Sequence, residues 1–191
     1  MFHRTAVMLT AAAFTAVLGL GAAEPAAAPA APGKVYFETD FSQAKLPWGK
    51  AGAGIIAVEP TAGPAEGNKA LKLHFKFDAP GAGWPQSQHY LQEPFTPEGD
   101  FVVEFDLKIE RPGNDVGLRL ELVPFNCYTS KTKLPFIDDG AWKKVRLIFK
   151  ARPGKEGTKI ERLCFTANGA LQKAGDETVY SIANLKIYAA K

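Results

Sequence analysis

Hydrophobic and polar residues alternate most regularly in residues 100–110, which read DFVVEFDLKIE. Every second residue from Phe101 to Ile109 is apolar, and the positions between them, Val102 excepted, carry a charge. A period of two predicts a β-strand with one buried and one solvated face. Burial of each large apolar side chain stabilises a fold by roughly 1.5–3 kcal/mol. We therefore expect a central core strand here, with Val102 on its solvated face.

The same kind of pattern recurs along the chain. Segments with strand-like alternation or short apolar runs, separated by Gly- and Pro-rich turns, cover residues 35–41, 54–58, 71–77, 86–95, 116–122, 133–137, 142–151, 160–166 and 179–188. No stretch has the apolar period of 3.6 that indicates an amphipathic helix. Nine or ten short strands with turn signals between them predict an all-β fold, an antiparallel β-sandwich rather than an α/β fold.

The first residues do not fit this pattern. Residues 1–23 contain a basic start with Arg4, an apolar run of small residues and the small-residue end Gly21-Ala22-Ala23. Those features predict a secretory signal peptide. Residues 24–33, EPAAAPAAPG, predict an Ala/Pro-rich tether that is disordered or extended, and residues 34–191 predict the sandwich domain. We therefore expect a secreted, periplasmic or cell-envelope protein with no membrane span.

The distribution of charge argues against nucleic acid as a partner. Removal of the predicted signal peptide takes away Arg4 and no acid, so Lys+Arg falls from 23 to 22 against 20 Asp+Glu, a net charge of +2. The charges of both signs are interspersed along the chain, without a basic stripe. Nucleic-acid binding is therefore not expected.

The chain has two cysteines, Cys127 and Cys164. In an exported protein an even number of cysteines indicates a disulfide, because the compartment is oxidising. The chain-entropy model gives such a bridge a stabilisation of roughly 3–4.7 kcal/mol. The alternative is a pair of buried free thiols.

The central strand also carries a pattern that suggests catalysis. Some β-sandwich glycosidases place acids at alternate positions of one strand, with the two catalytic carboxyl groups about 5–5.5 Å apart in retaining enzymes. Here Glu104 and Asp106 are followed by Lys108, and the next acid, Glu110, lies roughly 20 Å from Glu104 along a regular strand. The spacing therefore favours a solvated polar face, and we expect no catalytic residues and no enzyme activity.

Residues 84–92, WPQSQHYLQ, are the best candidate for a ligand-binding strand. Trp84, Gln86, Gln88 and Tyr90 share one face if the segment is extended. Flat aromatic rings pack on sugar rings, and amides both donate to and accept from hydroxyl groups. We expect a glycan site here, joined by Arg119 from a neighbouring strand. The alternative is that Trp84 covers the core and the glutamines are ordinary solvated residues.

The loop at residues 126–133, NCYTSKTK, is a further candidate, through Tyr128. Loops at the end of a sandwich often carry binding residues. The alternative is an exposed loop with one packed tyrosine.

Four short motifs together resemble a known family. They are Asp40-Phe41-Ser42 with Trp48, then GNKALKL at 67–73, GAWKKV at 140–145 and ANLKI at 183–187. In this order they resemble the jelly-roll carbohydrate-binding modules of families four and nine, which have a galactose-binding-like β-sandwich. The resemblance covers nearly all of residues 34–190. It implies a jelly-roll topology and a non-catalytic role.

The resemblance also implies a structural calcium site that ties the first strand to the last. The matching positions are Asp40 and Asn184, with Glu38 nearby. Ser42 and Asn184 stand where acids are common in the family, and fewer acidic ligands bind Ca²⁺ less tightly. No other cofactor is expected.

The sequence thus predicts a secreted, non-catalytic module that binds a polysaccharide or another glycan. The alternative hypothesis is a protein-interaction or envelope structural sandwich without sugar binding, whose partner would be another secreted protein. A third reading is a small polysaccharide-acting enzyme.

Overall fold

The structure, a computed structural model, describes residues 33–191 apart from 44, 53, 79–84, 112–118, 124–127, 130–139, 152–158 and 168–172. At 56, 119–123 and 128–129 it describes the backbone alone. The described part contains no helix. Its strands are β1 (Val35–Thr39), β2 (Gly49–Ala51), β3 (Ile55–Ala62), β4 (Lys69–Lys76), β5 (Gln86–Phe95), β6 (Phe101–Arg111), β7 (Arg119–Val123), β8 (Tyr128–Thr129), β9 (Lys143–Phe149), β10 (Ile160–Thr166) and β11 (Glu177–Ala189).

The strands form two antiparallel sheets. The first has the order β3-β4-β11-β6-β9, with β1 also paired to β11, and the second has the order β2-β5-β10-β7-β8. From β4 to β11, successive strands alternate between the two sheets, except for the adjacent pair β7 and β8. This is the strand order of an eight-stranded jelly roll. The predicted all-β sandwich with jelly-roll topology is confirmed.

The central strand is β6, as predicted. It lies between β11 and β9, and Phe101, Val103 and Phe105 are fully buried. Val102, expected on the solvated face, is also fully buried, which corrects that prediction. The register places Val102 between Tyr188 and Ile148, so its neighbours in that row are large and mostly apolar.

Aromatic rings join the two sheets. Phe105 of the first sheet meets Phe165 of the second edge to face, with 5.7 Å between ring centroids. The ring of Trp48 also packs near Phe165, with 5.4 Å between the two ring centroids. Edge-to-face and offset pairs of this kind add to the stabilisation that comes from buried area. The core therefore fills the space between the sheets and leaves both outer faces for other roles.

The two shortest strands, β2 and β8, were not predicted from the sequence. β2 and β8 contain three and two residues, too few to show an alternating pattern. β3 continues through Pro60, which an edge strand tolerates because proline needs no ladder hydrogen bond there. The strand predicted at 133–137 lies outside the described residues.

Ion pairs cover the outer face of the first sheet. One register row reads Glu38, Lys186, Glu104 and Arg146 across four strands, with alternating charge. Glu177 at the start of β11 pairs with Arg111, His74 and Lys76. Partial burial raises the pKa of Glu177, but these cations lower it more, and the net pKa lies below its ordinary value.

We expect Phe105→Ala to lower the free energy of unfolding by about 3–5 kcal/mol, because it leaves a cavity between the sheets. Guanidinium chloride unfolding followed by tryptophan fluorescence measures the loss. Ile148→Ala, on the exposed face of β9, is the matched control and should cost about 0.5 kcal/mol or less. Equal losses in the two variants would contradict this assignment of the core.

Glu177 should make stability depend on pH. A carboxyl group with a lowered pKa stabilises the fold above its ordinary pKa, and this stabilisation is lost as the pH falls through the lowered value. In urea unfolding at low salt, Glu177→Gln should therefore be less stable than wild type at pH 5.5, and the gap should narrow at pH 3. A gap that widens on acidification would contradict the linkage.

Candidate functional site

The outer face of the second sheet brings together three of the predicted ligand residues. Gln86 and Gln88 are half-buried on β5, and Tyr90 is 64% exposed. The residues between them, Ser87 and His89, are buried against the sandwich interior. Alternation thus places two amides and one aromatic ring in a line along β5.

Arg162, on the neighbouring strand β10, completes this group and was not predicted. Its Nη1 donates to Oε1 of Gln88 at 2.6 Å and to the hydroxyl oxygen of Tyr90 at 3.1 Å. The guanidinium carbon also lies 5.3 Å from the centre of the Tyr90 ring, a cation–π distance. These contacts hold the amide and the ring in fixed positions. We call Gln86, Gln88, Tyr90 and Arg162 the polar face.

The described partners of Arg162 are neutral groups. Among the described residues, no carboxylate forms a salt bridge with it. A guanidinium group has five N–H donors in a planar fork, and the bonds to Gln88 and Tyr90 use only Nη1. The bonds to described residues thus leave further donors that can bond to a ligand oxygen.

Of the three other predicted ligand residues, two have only their backbone described and one is not described at all. The backbone of Arg119 pairs with Thr166, which in turn pairs with Gln86, so Arg119 belongs to a register row of the polar face. Tyr128 is in register with Leu122, and Leu122 with the core residue Leu163, so its row is a different one. Trp84 lies outside the described residues, and its role stays a prediction.

Cys164 lies in the middle of β10, fully buried, with Gln88 as its register partner on β5. Cys127 lies outside the described residues. The disulfide between them therefore stays a prediction.

The carboxylates that suggested catalysis share a lysine. Lys144 Nζ lies 3.5 Å from Oε1 of Glu104 and 3.2 Å from Oδ1 of Asp106. Burial lowers the pKa of Lys144, but the two carboxylates raise it more, so its net pKa is above the ordinary value. Tyr188 donates its hydroxyl to Glu104 at 3.2 Å. This is a compensated polar surface, without the open carboxyl pair that glycoside hydrolysis uses.

The three predicted calcium positions do come together. Glu38, Asp40 and Asn184 line one depression of about 420 Å³, where β11 changes its partner from β4 to β1. The hydroxyl and the backbone N–H of Ser42 bond to the Asp40 carboxyl group and lower its pKa. Asn184 donates its amide to Asp106 at 2.7 Å.

This donor set fits a calcium ion only weakly. Lys186 lines the same depression, and its ammonium group lies 3.2 Å from the Glu38 carboxylate. A cation in the depression would compete with that lysine, and Asp40 is the carboxylate left to it. Within the described residues, no group of three or more His, Cys, Asp and Glu side chains is arranged to hold a metal.

Comparison with known proteins identifies the type of fold. No protein-family model matches the sequence. A curated relative, a mannan endo-1,4-beta-mannosidase of Bifidobacterium adolescentis, is 28% identical over 110 residues, which are 57% of this chain and 10% of that protein. The chain thus spans about a tenth of the length of this relative.

Solved structures with similar folds include carbohydrate-binding modules. The CBM22-1 xylan-binding domain from Paenibacillus barcinonensis Xyn10C is 14% identical, with a TM-score of 0.50 over 84% of this chain and 98% of that one. The module CtCBM11 is 15% identical, with a TM-score of 0.51 over 85% and 99%. The chain therefore has the jelly-roll fold of carbohydrate-binding modules, whereas the narrower resemblance to families four and nine stays a prediction. No described helix could cross a membrane.

Proposed function

We propose that this chain is an exported, non-catalytic module that binds a polysaccharide on the polar face of its second sheet. The observation that carries the proposal is the group formed by Arg162, Gln88 and Tyr90. It combines an exposed ring with hydrogen-bonding groups that are already held in place.

The chemistry of a sugar ring matches this group. The C–H side of a pyranose packs on a flat aromatic ring, and Tyr90 offers such a ring to solvent. Neighbouring hydroxyl groups both donate and accept, as a glutamine amide does, and the guanidinium of Arg162 adds charged donors. A shallow polar face of this kind should bind with a dissociation constant between millimolar and micromolar, about −4 to −8 kcal/mol.

The compared proteins suggest the class of polymer. The curated relative is named for action on mannan, and one structural neighbour is named for binding xylan. Another structural neighbour is a Clostridium thermocellum xylanase 10B, whose CBM22-1 and GH10 modules were solved in complex with xylohexaose. It is 10% identical, with a TM-score of 0.51 over 83% of this chain and 29% of that one. We propose a β-1,4-linked backbone such as mannan or xylan as the ligand.

A protein-binding role is the second candidate. The register row Val35, Tyr188, Val102 and Ile148 crosses four strands of the first sheet, with Val35 41% and Ile148 57% exposed. Half-buried Tyr188 and buried Val102 lie between these two exposed ends, so the row is an apolar strip that a protein partner could cover. Binding of a secreted protein with no binding of any polysaccharide would favour this candidate.

Tyr90→Ala should weaken binding to mannan or xylan oligosaccharides at least tenfold, because it removes the exposed ring of the polar face. Isothermal titration calorimetry measures the affinity, and circular dichroism confirms that the variant is folded. Ile148→Ala, an exposed apolar residue on the opposite outer face, is the control and should bind like wild type. Equal affinity of Tyr90→Ala and wild type would place the site elsewhere.

We also propose weak calcium binding at the depression lined by Asp40 and Asn184, supported by the oxygen groups that meet there. Since one carboxylate is left to the ion, we expect millimolar affinity. In thermal melts, a chelator should leave the Tm unchanged, and 10 mM Ca²⁺ should raise it in wild type but not in Asp40→Asn. A Tm that 10 mM Ca²⁺ does not move would contradict calcium binding.

A further inference from the structure

Strand β5 departs from regular pairing directly after the polar face. Tyr90 pairs with Arg162 and Phe95 with Ile160, so the four β5 residues from Leu91 to Pro94 stand opposite the single residue Glu161. On its other edge, β5 pairs with β2 only from Gln86 to Gln88. A bulge of this size re-aims side chains and leaves backbone groups outside the ladder, as bulges beside functional sites do.

A crevice of about 360 Å³ lies between this bulge and strand β1. Its apolar lining includes the rings of Tyr36, Phe37 and Trp48, and its polar lining includes Gln43 and Glu93. This volume and this mixture of rings with a few polar groups are typical of small-ligand pockets at the lower end of their size range.

The walls of the crevice are held by contacts across it. Tyr36 stacks on Phe95 with 4.8 Å between ring centroids and an interplanar angle of 7°. Near the other end, the His89 ring lies 5.6 Å from Phe37, and its Nδ1 is 3.0 Å from the carbonyl oxygen of Pro47. The crevice is therefore a preformed feature of the fold, and a ligand that enters it does not have to order its walls.

The crevice differs from the polar face in charge. Its described lining contains the carboxylates Glu38 and Glu93 and no lysine or arginine. Glu38 is paired with Lys186, whereas none of the described cations forms a salt bridge with Glu93. An anionic ligand would be repelled here, but hydroxyl groups can donate charge-assisted hydrogen bonds to Glu93. The neutral amide of Gln43 can both donate and accept.

Tyr90 connects the two sites. On the polar face its hydroxyl and ring contact Arg162, and the same residue also lines the crevice. A glycan chain on the polar face would therefore reach the mouth of the crevice at this ring.

We propose that the crevice is a second subsite, which takes one neutral sugar residue that branches from the glycan backbone bound on the polar face. The inference rests on the proposed function. The backbone of the glycan binds on the polar face, and its branch enters the crevice. Because Glu93 is anionic, branches that carry a carboxylate should be rejected.

Calorimetry with matched oligosaccharides tests this assignment. The probes are a linear β-1,4-mannohexaose, the same backbone with one galactosyl branch, a linear xylohexaose, and xylohexaoses with one arabinosyl or one glucuronyl branch. On whichever backbone wild type binds, the neutral branch should raise affinity about tenfold, the size expected for one hydrogen bond to a charged group. The glucuronyl branch should not raise it.

The variants Glu93→Gln and Gln43→Ala should lose most of the gain from the neutral branch and keep the affinity for the linear backbone. Arg162→Gln is the matched control, because it should weaken binding of linear and branched probes by the same factor. Melting temperatures establish that each variant is folded.

Three other results would each overturn a stated part of the proposal. Equal affinity of wild type for linear and neutral branched probes would overturn the branch subsite and leave the proposed function standing. A branch gain that survives in both crevice variants would overturn the assignment to the crevice. Absence of binding to every probe would overturn the proposed function together with the subsite.

Discussion

The first sheet depends on the pairing of β11, the longest of the described strands. It is bonded to β6 along most of its length on one edge, and it divides its other edge between β4 and β1. The change of partner needs a local break, which Asn184 provides with a left-handed φ of 50°, a conformation that asparagine tolerates better than most residues. This break sets where β1 lies, and β1 carries the rings that form one wall of the crevice.

The two outer faces of the sandwich have different electrostatic character. On the first sheet, each described acid of the Glu38–Glu104 row has a lysine within 3.5 Å, so the surface compensates its own charge. On the second sheet, Arg162 is held by neutral groups and faces no described carboxylate. A face that leaves hydrogen-bonding capacity unused can gain free energy from a ligand, and this is the physical basis of the proposal that a ligand binds on the second sheet.

Local pattern was enough to predict much of the fold. Alternation predicted β5, β6 and β10, and it correctly grouped Gln86, Gln88 and Tyr90 on one face, because side-chain direction in a strand depends only on parity. It failed at Val102, because burial there comes from Tyr188 and Ile148 on neighbouring strands. Arg162 was missed for the same reason: its importance arises from the pairing of β10 with β5, and strand order is a non-local property that no single segment contains.

The bulge between Tyr90 and Phe95 separates two kinds of requirement on the same strand. Residues before it must keep their register with β10, since a slip of one residue would turn Gln88 and Tyr90 into the core. Residues within it face a single partner residue and are largely released from that constraint. Leu91 still packs in the core, but substitutions at the exposed positions 92–94 can reshape the crevice without disturbing the polar face. The strand thus combines a segment bound to its register with a short exposed segment whose side chains can change without moving the rest of the sheet.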